Sequence, residues 1–185
     1  PISNKRFLKV VIKSYMIDNG YNRNFIFFHL KDSIIFAINL IPMRVIEIAK
    51  IIDSWMPTSI AEDFDNVGLI IGDSESKITS ILVTLDTTED VVEEAINKGC
   101  NLIVSYHHII FNGLKQITND NYVQKSVIKA VKNNISVYAI HTSLDNHPKG
   151  ISYLLSDLIG LNNISVLFPK EEKLNKIKIG LGSIG

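Results

Sequence analysis

Asn101-Leu102-Ile103-Val104-Ser105-Tyr106-His107-His108-Ile109-Ile110-Phe111 joins an apolar run directly to two adjacent imidazoles. Asn101 to Ser105 reads as a buried strand, and a strand that ends in two histidines has the form of a metal site. A lone histidine there would more simply cap a carbonyl or stay solvated. The next apolar run, Ser136 to Ile140, also ends in a histidine, His141, with Asp145 four residues on. Four metal-competent side chains, His107, His108, His141 and Asp145, thus fall at the ends of two neighbouring strands.

Outward from this stretch, strand and helix alternate. Ile78 to Leu85 reads as a strand with Asp86-Thr87-Thr88 at its carboxyl end. Glu89 to Lys98 places Val92, Ala95 and Ile96 on one helical face behind an acidic first turn, and Gly99 stops it. Strand, helix and strand within about thirty residues is the size of a βαβ unit. After turns at Asn112-Gly113 and Asn119-Asp120-Asn121, Tyr122 to Asn134 predicts a helix burying Val123, Val127, Ile128 and Val131. Upstream, Val45, Ile48, Ile51 and Ile52 form an amphipathic stripe stopped by Pro57, and the polar loop Ala61 to Gly68 leads into a short strand, Leu69 to Gly72. Downstream come the loop Asn146 to Gly150, a helix over Ile151 to Leu158, a short strand over Ile164 to Phe168, a solvated connection over Lys170 to Lys178, and a final strand from Ile177 towards a glycine-rich turn. The pattern predicts an α/β fold: a mixed, largely parallel sheet with helices on both faces, formed by residues 43–185.

Residues 1–42 read as an N-terminal extension of unassigned structure. Their apolar runs, Phe25 to Leu30 and Ile34 to Ile38, are divided by Lys31-Asp32. Neither approaches the roughly twenty residues a bilayer requires, and no signal-peptide pattern is evident, so no membrane association is expected. With zero formal net charge and no dense Lys/Arg block, nothing points to nucleic-acid binding. The single cysteine, Cys100, adjoins the apolar strand and reads as a buried inert thiol in a reducing cytoplasm.

Parallel sheets gather ligands beyond the carboxyl ends of their strands, which is where Asp86, His107, His108, His141 and Asp145 fall. Successive residues of an extended strand point to opposite faces, so His107 and His108 need either a bend or two ions, one per ring. Imidazole with carboxylate suits zinc, iron, manganese or nickel. Asp86, Asp65 and Glu62 are candidates for a nearby base or hydrogen-bond partner. Their simpler readings are a helix cap for Asp86 and a solvated loop for Glu62 to Asp65.

Ala61-Glu62-Asp63-Phe64-Asp65-Asn66-Val67-Gly68-Leu69, Leu85-Asp86-Thr87-Thr88, His107-His108 with Ile110-Phe111 and Gly113-Leu114-Lys115, and His141-Thr142-Ser143-Leu144-Asp145 together resemble the GTP cyclohydrolase I type 2 homologue family, also called NGG-interacting-factor-like. The likeness runs from Met43 to about Gly185. It implies two related α/β halves, of which this would be the first lobe, a dinuclear metal centre between them, and ring-shaped hexamers. By that resemblance His107 and His108 each ligate a different divalent ion, Asp145 holds one, and His141 serves at the rim as ligand or partner of a ligand. The family's remaining ligands, a histidine and a bridging glutamate, have no counterpart after His147, so the chain is expected to stop before its site is complete. Ile109 replaces the usual proline and Ser143 the usual asparagine. His147 takes a usually small position, as a solvated loop histidine or, less simply, a substitute ligand. The resemblance implies a metal-dependent hydrolase acting on a nucleotide through a metal-activated water, with no catalytic residue assigned. The alternatives are a non-catalytic metal-binding scaffold or regulatory partner, and an inactive fragment.

Overall fold

A computed structural model describes residues 25–29, 34–38, 43–174 and 176–185. Its strands are β1 (Phe25–His29), β2 (Ile34–Ile38), β3 (Gly68–Ile71), β4 (Ser80–Thr84), β5 (Leu102–Ser105), β6 (Ser136–Ala139), β7 (Ser165–Leu174) and β8 (Ile177–Ile184). Its helices are α1 (Val45–Trp55), α2 (Glu89–Asn97), α3 (Tyr122–Lys132), α4 (His141–Asn146) and α5 (Ile151–Leu158).

The main sheet runs β1-β2-β4-β5-β6-β3. β4, β5 and β6 are parallel, and β3 lies antiparallel on β6 at the edge. The fold is therefore the expected mixed α/β sheet with a parallel centre. Side chains alternate across it. Ile81, Val83, Leu102, Val104 and Tyr138 face a core shared with α1, Leu144 of α4, and α5. Leu82, Ile103 and Val137 face the opposite core, filled by Val92 and Ala95 of α2 and Val127 and Ala130 of α3. Both faces of the central strands are covered, as parallel strands require. Gly72, with φ +114°, lets the end of β3 lie against Ser136, where a β-carbon would collide.

Four sequence expectations change. The apolar runs in the N-terminal extension supply β1 and β2, an antiparallel pair that joins the β4 edge; the rest of residues 1–42 lies outside the described residues. Val131 is 58% exposed, because the inward stripe of α3 runs through Ser126, Val127 and Ala130 and leaves it on the flank. His141 to Asn146 forms a short helix rather than a strand end running into a loop. Lys170 to Lys178 is not a solvated connection: β7 runs through to Leu174 and pairs with β8, with a register shift beginning at Pro169. Proline in a strand belongs at such an irregularity, and pairing with β8 on either side of it keeps the polar stretch within the strand. Among the described residues no helix is long and apolar enough to cross a membrane.

Candidate metal centre

The parallel ladder continues past the last strand residues and carries the histidines to the rim. Tyr106 N donates to Thr84 O at 3.1 Å, His107 N to Leu85 O at 2.9 Å, and His141 N to Tyr106 O at 2.9 Å. The chain bends after Ser105, so the rings of His107 and His108 do not diverge to opposite faces. Their centroids lie 5.4 Å and 4.9 Å from that of His141.

Three groups converge there. Asp65, His108 and His141 place one donor atom each within 4.8 Å of one another. The Asp65 side chain is 0% exposed and that of His108 6%. His141 Nδ1 lies 3.0 Å from Asp65 Oδ1 and 2.9 Å from Oδ2. His108 Nδ1 is 3.0 Å from Asp65 Oδ1 without hydrogen-bond geometry, so this buried nitrogen has no hydrogen-bond partner. Phe111 covers the His108 ring in a stack, 5.1 Å between centroids.

Asp65 reaches the rim because its loop is welded to α4. Thr142 N and Thr142 Oγ1 both donate to Oδ2, and Asn66 N donates to Oδ1 at 2.8 Å. Burial alone would raise the Asp65 pKa, but the Thr142 hydroxyl, the His141 ring and the Thr142 N–H together hold it below the ordinary carboxylate value. Burial, opposed by the Asp65 charge and reinforced by the two other rings, keeps the His108 pKa below that of free imidazole, so its ring is neutral and available as a donor. Glu62 is held below its usual value against the effect of burial by hydrogen bonds from Asn146 and Lys170. Lys170 Nζ, from β7, lies 3.0 Å from Glu62 Oε1 and donates to Ala61 O at 2.8 Å, which fastens the hairpin to the same loop.

The other expected residues form two flanking pairs. His107 Nδ1 lies 2.7 Å from Asp86 Oδ1, a contact that favours the proton on Nδ1 and leaves Nε2 as the nitrogen an ion could use. Asp86 is therefore not the cap of α2; Thr88 is, accepting from Val91 N at 3.3 Å. Asp145 accepts from Tyr106 Oη at 2.6 Å and stands outside the three-residue cluster. Burial pushes its pKa up, the Tyr106 bond offsetting part of the rise. Asp145 also borders a cavity of about 230 Å³ shared with His147, Tyr153 and Lys178. His147 is a half-buried loop histidine just past α4: burial, helped by Lys149, lowers its pKa to about 4, and Nδ1 accepts from Lys149 N at 3.1 Å. The buried Cys100 has its thiol pushed up to about 11 by burial, as an inert thiol should.

Two proteins described as GTP cyclohydrolase 1 type 2 homolog, from Clostridium acetobutylicum and Staphylococcus epidermidis, are 39% and 45% identical to this chain over 138 and 126 residues. Those matches cover 75% and 68% of this chain but 52% and 34% of the relatives, so the chain spans about a third to a half of their length. A Bacillus cereus protein related to NIF3 has a similar solved structure, with TM-score 0.66, 39% identity, and 70% of this chain and 36% of that one covered. Reduced HcgD from Methanocaldococcus jannaschii superposes with TM-score 0.64 at 26% identity, covering 70% and 52%. The model of the family described as Duf34/NIF3 (NGG1p interacting factor 3) matches residues 43–185, well over half of the sequence, and the chain accordingly belongs to that family.

Proposed function

We propose that the chain is a divalent-metal-binding protein whose centre is built on Asp65, His108 and His141. The observation that carries this is the buried His108 Nδ1, which lacks a hydrogen bond although a carboxylate oxygen stands 3.0 Å away. A buried nitrogen so placed forfeits its hydration for nothing unless a cation completes it. Two neutral-competent imidazoles and a fully buried carboxylate fit zinc, iron, manganese or nickel. His107, with Asp86 fixing its tautomer, and Asp145, held by Tyr106, flank the cluster and are the groups available to a second ion.

An ion bound there would lower the pKa of a coordinated water and polarise a phosphoryl or carbonyl oxygen. The chain's own groups orient and shield. Thr142 and Asn66 fix the Asp65 carboxylate, and Phe111 screens His108 from solvent. Hydrolysis of a nucleotide is the reaction we propose, and the name borne by the relatives makes GTP the first substrate to try. Self-association is proposed as well, supported by exposed Leu158 at the end of α5, Ile159 just after it, and Phe168 and Ile184 on the hairpin.

The test is metal content after purification without chelator, followed by titration with Zn²⁺ and Co²⁺. Wild type should bind, and His108→Ala should bind more than about 100-fold more weakly, since even loss of a supporting group costs 10–100-fold. A wild-type chain that takes up no ion sinks the proposal. Turnover of GTP lost in His108→Ala supports the hydrolase, whereas ion binding without turnover leaves a metal-binding scaffold.

A further inference from the structure

We infer that Thr142 is the positioning residue of this centre, holding Asp65 by Oδ2 so that Oδ1 is the oxygen turned to the His108 ring. The inference rests on the metal-binding reading above and names the group that sets its geometry. Thr142 is 5% exposed and spends every polar atom of its amide N–H and hydroxyl on one loop. Its main-chain N–H, in the first turn of α4 where no carbonyl of the helix can accept it, donates to Asp65 Oδ2 at 3.0 Å. Its hydroxyl donates to the same oxygen and accepts from Glu62 N at 2.9 Å. Asp65 N in turn donates to Glu62 O at 2.9 Å, closing a ring that runs from the loop to the helix and back.

The ring has a consequence for the carboxylate. Oδ2 accepts both donors of Thr142 and lies 2.9 Å from His141 Nδ1. Oδ1 has one main-chain donor, Asn66 N, and faces the ring nitrogens of His108 and His141, each at 3.0 Å. A carboxylate free to rotate would present either oxygen, or both. Pinned by Thr142 through Oδ2, it keeps Oδ1 as the oxygen beside the His108 ring, and the entropy of fixing it is spent in folding rather than in binding. Thr142 touches neither imidazole in any hydrogen bond, so it acts through Asp65.

Thr142→Val keeps the shape and the β-branch while removing the hydroxyl; Thr142→Ser restores it. Each variant is titrated with Co²⁺ and followed by visible absorption, whose bands report coordination geometry, with a thermal melt by circular dichroism alongside. Thr142→Val should bind Co²⁺ about 10–100-fold more weakly than wild type, with an altered spectrum, and Thr142→Ser should return to wild-type affinity and spectrum. A merely structural threonine would lower the melting temperature and leave both the affinity and the spectrum of the folded protein where they were, which would overturn the inference. So would Thr142→Ser losing as much affinity as Thr142→Val. If Thr142→Val does not fold, Thr142→Ala is held to the same criteria. Wild type that binds Co²⁺ beside an unaffected Thr142→Val removes the role of Thr142 alone; wild type that binds none removes the metal centre and this role with it.

Discussion

Two histidine–carboxylate contacts stand side by side at the rim of the sheet, and burial separates them. His108 and Asp65 have side chains 6% and 0% exposed, whereas His107 and Asp86 are 45% and 55% exposed. The exposed pair makes an ordinary hydrogen bond at 2.7 Å; the buried pair approaches to 3.0 Å and leaves a nitrogen without one. Water can satisfy either partner of the first, so its net worth is small. None reaches the second, and its imperfection must be made good by something else or simply borne as a cost to stability. The buried pair is the one on which the proposed centre rests, and the exposed pair lies at its margin.

The contrast is broken most severely at Asp65. Asp65→Ala removes the acceptor of Thr142 N–H, the Thr142 hydroxyl, Asn66 N–H and His141, leaving buried donors with nothing to accept them. Loss of one partner from a buried charged network costs about 3–5 kcal/mol. We expect at least about 3 kcal/mol from urea unfolding of the metal-free protein, together with loss of tight metal binding. A loss below about 1 kcal/mol would mean that the carboxylate is solvated and the centre looser than its geometry.

His108→Phe should act in the opposite sense on stability. Phenylalanine keeps the aromatic stack on Phe111 and removes the nitrogen that has no hydrogen-bond partner. Replacing an unsatisfied buried polar group with an apolar one of similar shape recovers its desolvation cost, about 1 kcal/mol here. The metal-free variant should melt higher than wild type while metal affinity disappears. A variant that melts lower would indicate that His108 Nδ1 has a partner in solution, and the case for a cation would weaken.

The sequence made the histidines legible because each closes an apolar run, and parallel β5 and β6 then bring them together with no further information. Asp65 was legible only as a candidate partner in a polar loop. Its hydrogen bonds reach His141 and Thr142 across 76 and 77 positions, and nothing local in Glu62-Asp63-Phe64-Asp65 signals that the third residue after Glu62 turns inward. The signal that could have found it is reciprocal: His141-Thr142-Ser143-Leu144-Asp145-Asn146 has too little apolar periodicity to announce a helix, yet it buries Thr142 and Asn146, whose polar groups find partners in the Glu62–Asp65 loop. Asp145 shows the converse limit, since four-residue spacing from His141 fits a shared helical face but does not say that Tyr106 will take its carboxylate. The hairpin β7–β8 escaped for a third reason: Lys170 to Lys173 is charged in the manner of a loop, and the strand passes through it at a register shift, with pairing to β8 on either side.

The smallest expected effect, and the one that sharpens the comparison most, belongs to Asp86→Asn. An exposed histidine–carboxylate pair contributes at most about 1 kcal/mol, so the unfolding midpoint should shift little. Asparagine can still accept from His107 Nδ1 through its carbonyl oxygen, but it can also flip and donate, so the tautomer that leaves Nε2 free is no longer enforced. If His107 holds an ion through Nε2, Co²⁺ stoichiometry or affinity should fall by up to about tenfold while the Asp65–His108–His141 cluster is untouched. A fall as deep as that of Asp65→Ala would raise the exposed pair from margin to centre. No change at all would leave His107 outside the metal site, because a ligand whose tautomer has been released cannot bind as well as one whose tautomer is fixed.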